Sequence, residues 1–263
     1  MCVRRFWPEA EELGAALAVT TRHGGVSARP YDSLNLSYRV GDRPEHVAAN
    51  RARIAEAFGV TLGSLVFADQ VHGTNVTEVG AQDAGRGVGE LDDPLPTTDA
   101  LVTATSAVTL VILVADCLPL ALLDPEARVL GAVHAGWRGA AAGIVPATLR
   151  AMTALGAQPA RVRAYFGPAV APARYQVGPE VVDALARAVA PAPLDPRVAQ
   201  PDDGAPGRAH VDLPAAVRQQ LRVGGVRAAH VVDSGTTTAD LSFFSDRAAR
   251  PCGRFALLAR LMS

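Results

Sequence analysis

The chain contains no lysine: all 25 of its basic residues are arginine. That absence excludes lysine Schiff-base chemistry, pyridoxal phosphate attachment and a Walker-type phosphate loop. Cysteine is almost as scarce, with only Cys2, Cys117 and Cys252. No Cys-x-x-Cys, His-x-x-x-His or His-x-His run is present. A sparse, odd set of thiols argues against a disulfide framework and for a reducing compartment. A dominant charge is lacking too. The formal net charge is −1, so no global field draws the chain to nucleic acid or an anionic membrane. The longest apolar run, over 107–123, is interrupted by Asp116, Cys117 and Pro119, and is too short and too polar to span a bilayer. Arg4 and Arg5 are followed by no apolar h-region, so no signal peptide is expected. The expectation is a cytoplasmic protein with no nucleic-acid or membrane partner, a monomer or weak homodimer.

What is present suits a folded enzyme. Hydrophobic residues make up 49% of 263 positions, ample for a core. Strand patterns fall over 17–21, 65–68, 75–79, 99–103, 108–114, 129–134, 162–166, 226–232 and 255–261. Helical spacing falls over 44–58, with Asp42 as N-cap and Gly59 just past the end. It recurs over 138–155, where Pro146 predicts a kink or a late start, and over 179–189 and 213–221. Residues 80–98 read as a surface loop and candidate lid, and 190–208 as a mobile excursion. No internal repeat and no linker between two cores is visible. The fold class is therefore α/β (α+β), a single domain over 1–263 with mixed strands and helices.

The chemistry gathers around Gly131-Ala-Val-His-Ala-Gly-Trp-Arg-Gly139. An imidazole, an indole and a guanidinium share one Gly-rich turn after an apolar run. His72, Cys117 and His134 each lie at or just beyond the end of an apolar run, where sheet proteins collect site residues. Two imidazoles and a thiolate make a sound Zn²⁺ set, and three protein ligands leave a fourth position open for catalysis. The bland readings are a buried small hydrophobe at Cys117 and satisfied strand-end histidines. A Cys117–His134 dyad, thiolate and base, is the second functional reading. Arg22 and Arg138 flank glycines and are candidate seats for phosphate or carboxylate. Asp116 is a candidate to orient a ligand or a substrate amine, or else accepts strand-end amides, and in a deamination it would be the candidate proton shuttle. Tyr175 is expected near the pocket and Trp137 as packing.

Several segments occur in an order that carries a resemblance: Thr20-Thr-Arg-His-Gly-Gly-Val-Ser27, Ser33-Leu-Asn-Leu36, Gln70-Val-His-Gly73 and Thr98-Asp-Ala-Leu-Val-Thr103. Ala115-Asp-Cys-Leu-Pro119, His134-Ala-Gly-Trp-Arg-Gly139, Tyr175-Gln-Val-Gly178 and Phe243-Phe-Ser245 continue it. The chain resembles the family variously called YfiH-like, multicopper polyphenol oxidase (laccase) and purine nucleoside phosphorylase. The resemblance implies a layered α/β/β/α fold and a metal, most often zinc, on His72, Cys117 and His134. It implies phosphorolysis of adenosine, inosine and methylthioadenosine, and deamination of adenosine. The implied partners are purine nucleosides and phosphate. Copper-dependent laccase chemistry and peptidoglycan precursor editing are also attributed to it, and a metal-free cysteine hydrolase is the remaining alternative. Six histidines without a His-x-His run under-supply a multicopper cluster, although a single Cu²⁺ could occupy the trio. One departure is visible: Gly235-Thr236 stands where the family often has Cys-Thr, and Asp246-Arg247 where it often has paired arginines.

Overall fold

The structure is a computed structural model that describes residues 2–90 and 93–263. Its frame is two sheets packed face to face. The first contains β1 (Val3–Arg4), β2 (Ala15–Thr20), β3 (Leu65–Val66), β6 (Thr109–Val114) and β14 (Phe255–Leu261), in the order β1-β2-β14-β6-β3. The second contains β4 (Val76–Glu78), β5 (Ala100–Thr103), β7 (Leu118–Asp124), β8 (Val129–Ala135), β9 (Arg163–Phe166) and β13 (Val231–Asp233), in the order β13-β9-β7-β8-β5-β4. Both sheets are mixed: β3 runs parallel to β6, β4 to β5 and β13 to β9, while the other pairs are antiparallel.

Alternation along the strands builds the layers. Phe255, Leu257, Ala259 and Leu261 of β14 meet Ala121 and Leu123 of β7 and Leu130 and Ala132 of β8 between the sheets. Ala256 and Leu258 point the other way, onto Ile54, Ala55 and Phe58 of helix α2 (Pro44–Phe58). A short helix α1 (Glu9–Glu12) precedes β2. Leu118, Leu120 and Leu122 of β7 and Val129 and Val133 of β8 face α3 (Trp137–Ala142), α4 (Ile144–Ala154), α5 (Pro179–Arg187) and α6 (Leu213–Val223). The layers thus run helix, sheet, sheet, helices, the order that the resemblance implies.

Three local expectations are corrected. Asp42 does not cap α2. One of its oxygens accepts from Ser27 and Asn35, leaving Arg43 at the N-cap. The helical stretch after the Trp137 motif breaks at Gly143, whose φ of 98° ends α3, so Pro146 falls harmlessly in the first turn of α4. The excursion over 190–208 is partly ordered: β11 (Ala199–Pro201) pairs with β12 (Ala209–Val211), which also pairs with β10 (Gln176–Val177). The expected loop over 80–98 contains a 3-10 turn at Ala81–Asp83, and positions 91 and 92 lie outside the described residues.

Candidate metal centre

The β7–β8 hairpin pairs Leu118 with Ala135 and Pro119 with His134. Cys117, one residue before β7, therefore comes beside the end of β8. The parity of the two strands puts Cys117 and His134 on the face toward the first sheet. His72 arrives from that first sheet, six residues beyond β3. The ligand atoms of His72, Cys117 and His134 all lie within 4.8 Å of one another. Cys117 Sγ stands 3.7 Å from His72 Nε2, and the two imidazole centroids are 4.7 Å apart. The structure brings together the three residues singled out in the sequence.

Asp99, at the threshold of β5, organises this cluster. Its Oδ1 accepts from the His72 amide at 2.9 Å and contacts His134 Nδ1 at 2.8 Å. Its Oδ2 accepts from the amides of Gly73 at 2.7 Å and Val71 at 3.2 Å. Three successive amides thus form a nest around one fully buried carboxylate. His72 adopts φ 62° to close it, a conformation that a non-glycine residue holds only when its surroundings impose it. With Nδ1 on Asp99, His134 keeps Nε2 for a ligand. Sequence reading assigned Asp99 only to a strand start; its position just before buried β5, inside Thr98-Asp-Ala-Leu, was the available signal.

Electrostatics couple Cys117 to His134. Burial opposes the thiolate, but the charge and hydrogen bonding of His134, with a contribution from His72, bring the thiol down to about 6. Burial likewise opposes the imidazolium, yet Cys117 and Asp99 push His134 up to about 9. Burial would raise the Asp99 carboxyl, but His134 and the Gly73 amide hold it below the ordinary carboxylate value.

The cluster lines a cavity of about 490 Å³, with His134 buried, Cys117 half-buried and His72 exposed, within the range of about 300–1,000 Å³ common for small-molecule sites. Its apolar walls include Leu113, Val114, Val170 and Leu213, with Trp137 and Tyr175 as aromatic surfaces. Trp137 therefore contributes to the cavity as well as to packing. Arg138 stands over the Trp137 ring, 4.6 Å from its centroid. Gln70 pins the wall to β6: its carboxamide donates to Leu113 O at 2.7 Å and accepts from Leu113 N at 2.8 Å.

Asp116 lies beside Cys117 with φ 88°. Oδ1 accepts from Thr238 Oγ1 at 2.5 Å and Ser245 Oγ at 2.7 Å, and Oδ2 from the Arg247 amide at 2.6 Å. Arg22 does not line the cavity. Its guanidinium donates to Asp32 O at 2.9 Å and stacks on Phe244 at 4.7 Å. The rim guanidiniums belong instead to Arg39, Arg138, Arg247, Arg250 and Arg254. Apart from Arg138, none of these stands out as a site residue in the sequence; Arg247 is marked there only as standing where the family often has paired arginines, and the shared location of the five is set by distant loops.

The fold and site together define a layered α/β protein with a mixed histidine–cysteine cluster that could hold a metal ion, at one end of its sheet–sheet interface. Residues 16–262 match the family described as multi-copper polyphenol oxidoreductase laccase, and the chain belongs to that family. A protein of Mycobacterium tuberculosis named purine nucleoside phosphorylase is 44% identical over 91% of this chain and 89% of its own length. One of the same name from Streptomyces coelicolor is 44% identical over 92% of this chain and 94% of its own. The crystal structure of YlmD from Geobacillus stearothermophilus superposes with a TM-score of 0.90 at 35% identity, covering 95% of this chain and 93% of that one. No helix among the described residues is long and apolar enough to cross a membrane.

Proposed function

We propose that the chain is a zinc-dependent purine nucleoside enzyme, carrying out phosphorolysis of adenosine, inosine or methylthioadenosine and deamination of adenosine. The carrying observation is the cavity itself. It joins a two-histidine, one-cysteine cluster to several arginines and aromatic walls, in a chain whose close relatives bear the name purine nucleoside phosphorylase. We also take residues 1–263 as one catalytic domain, since both sheets feed the same site.

The donor set fits a metal. A thiolate and two imidazoles converge, one imidazole is oriented by a carboxylate, and Gly136 leaves room for them. A Cβ there would sit 2.9 Å from His72 Cδ2 and 3.0 Å from Cys117 Sγ. His72, Cys117 and His134 would hold the ion, which supplies Lewis acidity and an activated nucleophile at neutral pH. Zn²⁺ suits this mixed set, and a single Cu²⁺ could also be bound. A multicopper relay ranks below it, because the trio is the one such ligand group among the described residues. His210 faces Asp202 and His230 faces Val162 O.

The chain's own residues would then act as follows. Trp137, Leu213 and neighbouring apolar groups accept the flat purine and exclude water. Arg138 balances the charge of phosphate beside the sugar. Asp116, with both oxygens engaged by donors, is better suited to positioning than to moving a proton. In phosphorolysis the C1′–N9 bond breaks, its electrons stay with the purine, and a phosphate oxygen bonds to C1′.

Product analysis on adenosine, with and without phosphate, tests this. Adenine and ribose 1-phosphate mark phosphorolysis, and inosine marks deamination. If neither forms and a peptidoglycan precursor is cleaved instead, the editing role takes its place. Cys117→Ala is expected to lose both zinc and turnover; full turnover by zinc-free protein would favour a cysteine nucleophile instead.

A further inference from the structure

The five rim arginines are not equivalent. Arg39 pairs with Asp69. Arg250 pairs with Asp246 at 2.5 Å, and Arg254 reaches Asp246 at 3.4 Å and donates to Cys252 O and Gly253 O. Arg138 and Arg247 have no carboxylate partner among the described residues. Each is steered by an aromatic ring instead: Arg138 by Trp137, and Arg247 by Tyr175, whose centroid is 5.3 Å away. The Arg247 side chain makes one long hydrogen bond, to Gln176 O at 3.4 Å.

Both guanidiniums act on the same phenol. Burial is the main reason that the Tyr175 hydroxyl is pushed up to about 12. The Cys117 sulfur adds to the rise, and Arg247 and Arg138 oppose it. Tyr175 therefore stays protonated and able to donate, and it lines the same cavity as both guanidiniums. Two unneutralised guanidiniums and a phenol O–H, all facing one cavity, are donors looking for an anion.

Arg247 is placed there by Asp116. The peptide N–H of Arg247 is bound by Asp116 Oδ2, while Asp116 Oδ1 ties down Thr238 and Ser245 on the same segment. A parallel bridge between Ala169 and Thr237, and the Val170 amide on Asp116 O at 2.9 Å, complete the attachment. The left-handed backbone of Asp116 aims its carboxylate at that segment while Cys117, the next residue, faces the other ligands.

We infer that Arg138, Arg247 and the Tyr175 hydroxyl form a subsite for a phosphoryl anion at the mouth of the cavity, with Asp116 as the positioning residue that holds its Arg247 half. Resting on the proposed nucleoside chemistry, this names where phosphate would sit. The same chemistry would recognise free inorganic phosphate or the 5′-phosphate of a nucleotide.

Zinc-loaded protein is titrated calorimetrically with inorganic phosphate, and separately with adenosine and AMP. Arg138→Gln, Arg247→Gln and Asp116→Asn are compared with wild type. Each arginine variant is expected to weaken phosphate binding about ten- to hundredfold, the loss typical of a hydrogen bond to a charged group. Adenosine binding should change little. Asp116→Asn turns an amide N–H₂ toward a donor and should reproduce the phosphate defect, raising the KM for phosphate more than it lowers kcat, at unchanged zinc content. Binding of phosphate by all three variants as tightly as by wild type overturns the subsite, whatever reaction the enzyme catalyses. Phosphate binding that depends on these arginines in a protein without phosphorolysis keeps the subsite and removes the proposed reaction. AMP binding that outcompetes adenosine only when both arginines are present assigns the seat to a nucleotide phosphate; an advantage for phosphate alone assigns it to the co-substrate.

Discussion

At the scale of the single residue, Asp99 shows how much of the centre rests on a side chain that would touch no metal. It fixes the tautomer of His134 and the backbone of His72 through four contacts. Asp99→Asn keeps the shape but sets an N–H₂ group against donors that now find an acceptor. Zinc affinity is expected to fall about 10- to 100-fold, measured by competition with a chelating indicator; unchanged affinity would show that the nest holds itself. His72, Cys117 and His134 were legible in the sequence because each follows an apolar run and few side chains suit a metal. Asp99 was not, because a lone aspartate before a strand resembles any turn residue, and its partners lie 26 to 35 positions away in sequence. Arg22 and Arg247 reverse roles for a similar reason. A cation between glycines draws the eye, yet Asp32 and Phe244 hold Arg22 away from the cavity, while Arg247 stands out only as a departure from the family's paired arginines.

At the scale of elements, the long buried strands were legible and the short ones were not. β6, β8 and β14 announce themselves by continuous or alternating apolar residues. β10, β11 and β12 are two or three residues long and half exposed, so they leave no periodic trace. The far end of β7 offers a test of how the outer turn is held. Asp124 is fully buried, accepts from the amides of Glu126, Ala127 and Gln158, and pairs with Arg161 at 2.9 Å. Burial alone would raise its carboxyl, but the Gln158 and Ala127 amides and Arg161 hold it below the ordinary value. A depressed folded-state pKa contributes stability above the ordinary carboxylate range, and that contribution is lost as pH falls through the depressed value. Asp124→Asn should therefore destabilise by about 2 kcal/mol at neutral pH. Urea midpoints of variant and wild type should draw together in acid; a gap that stays constant with pH would point to packing alone.

At the scale of the whole molecule, the centre is where the two sheets meet. His72 comes from the first sheet, His134 from the second, and Cys117 from the link between β6 and β7. An ion held by all three would resist separation of the sheets, so zinc should raise the thermal midpoint. At about a thousand times its Kd the stabilisation would be about 4 kcal/mol. Scanning calorimetry of wild type and Cys117→Ala, each with and without zinc, reads this; an equal rise in both would mean that zinc acts elsewhere. The layer order was legible only through the resemblance, since no local pattern states which sheet faces which. The depth profile of the cavity has a kinetic consequence. His134 is buried against the core between the sheets, while His72, Arg138 and Arg247 on the same cavity are exposed. Substrates and products would then share one passage, and whatever sits deeper must arrive first and leave last. Product-inhibition patterns should accordingly show a compulsory order: nucleoside before phosphate, sugar phosphate before base.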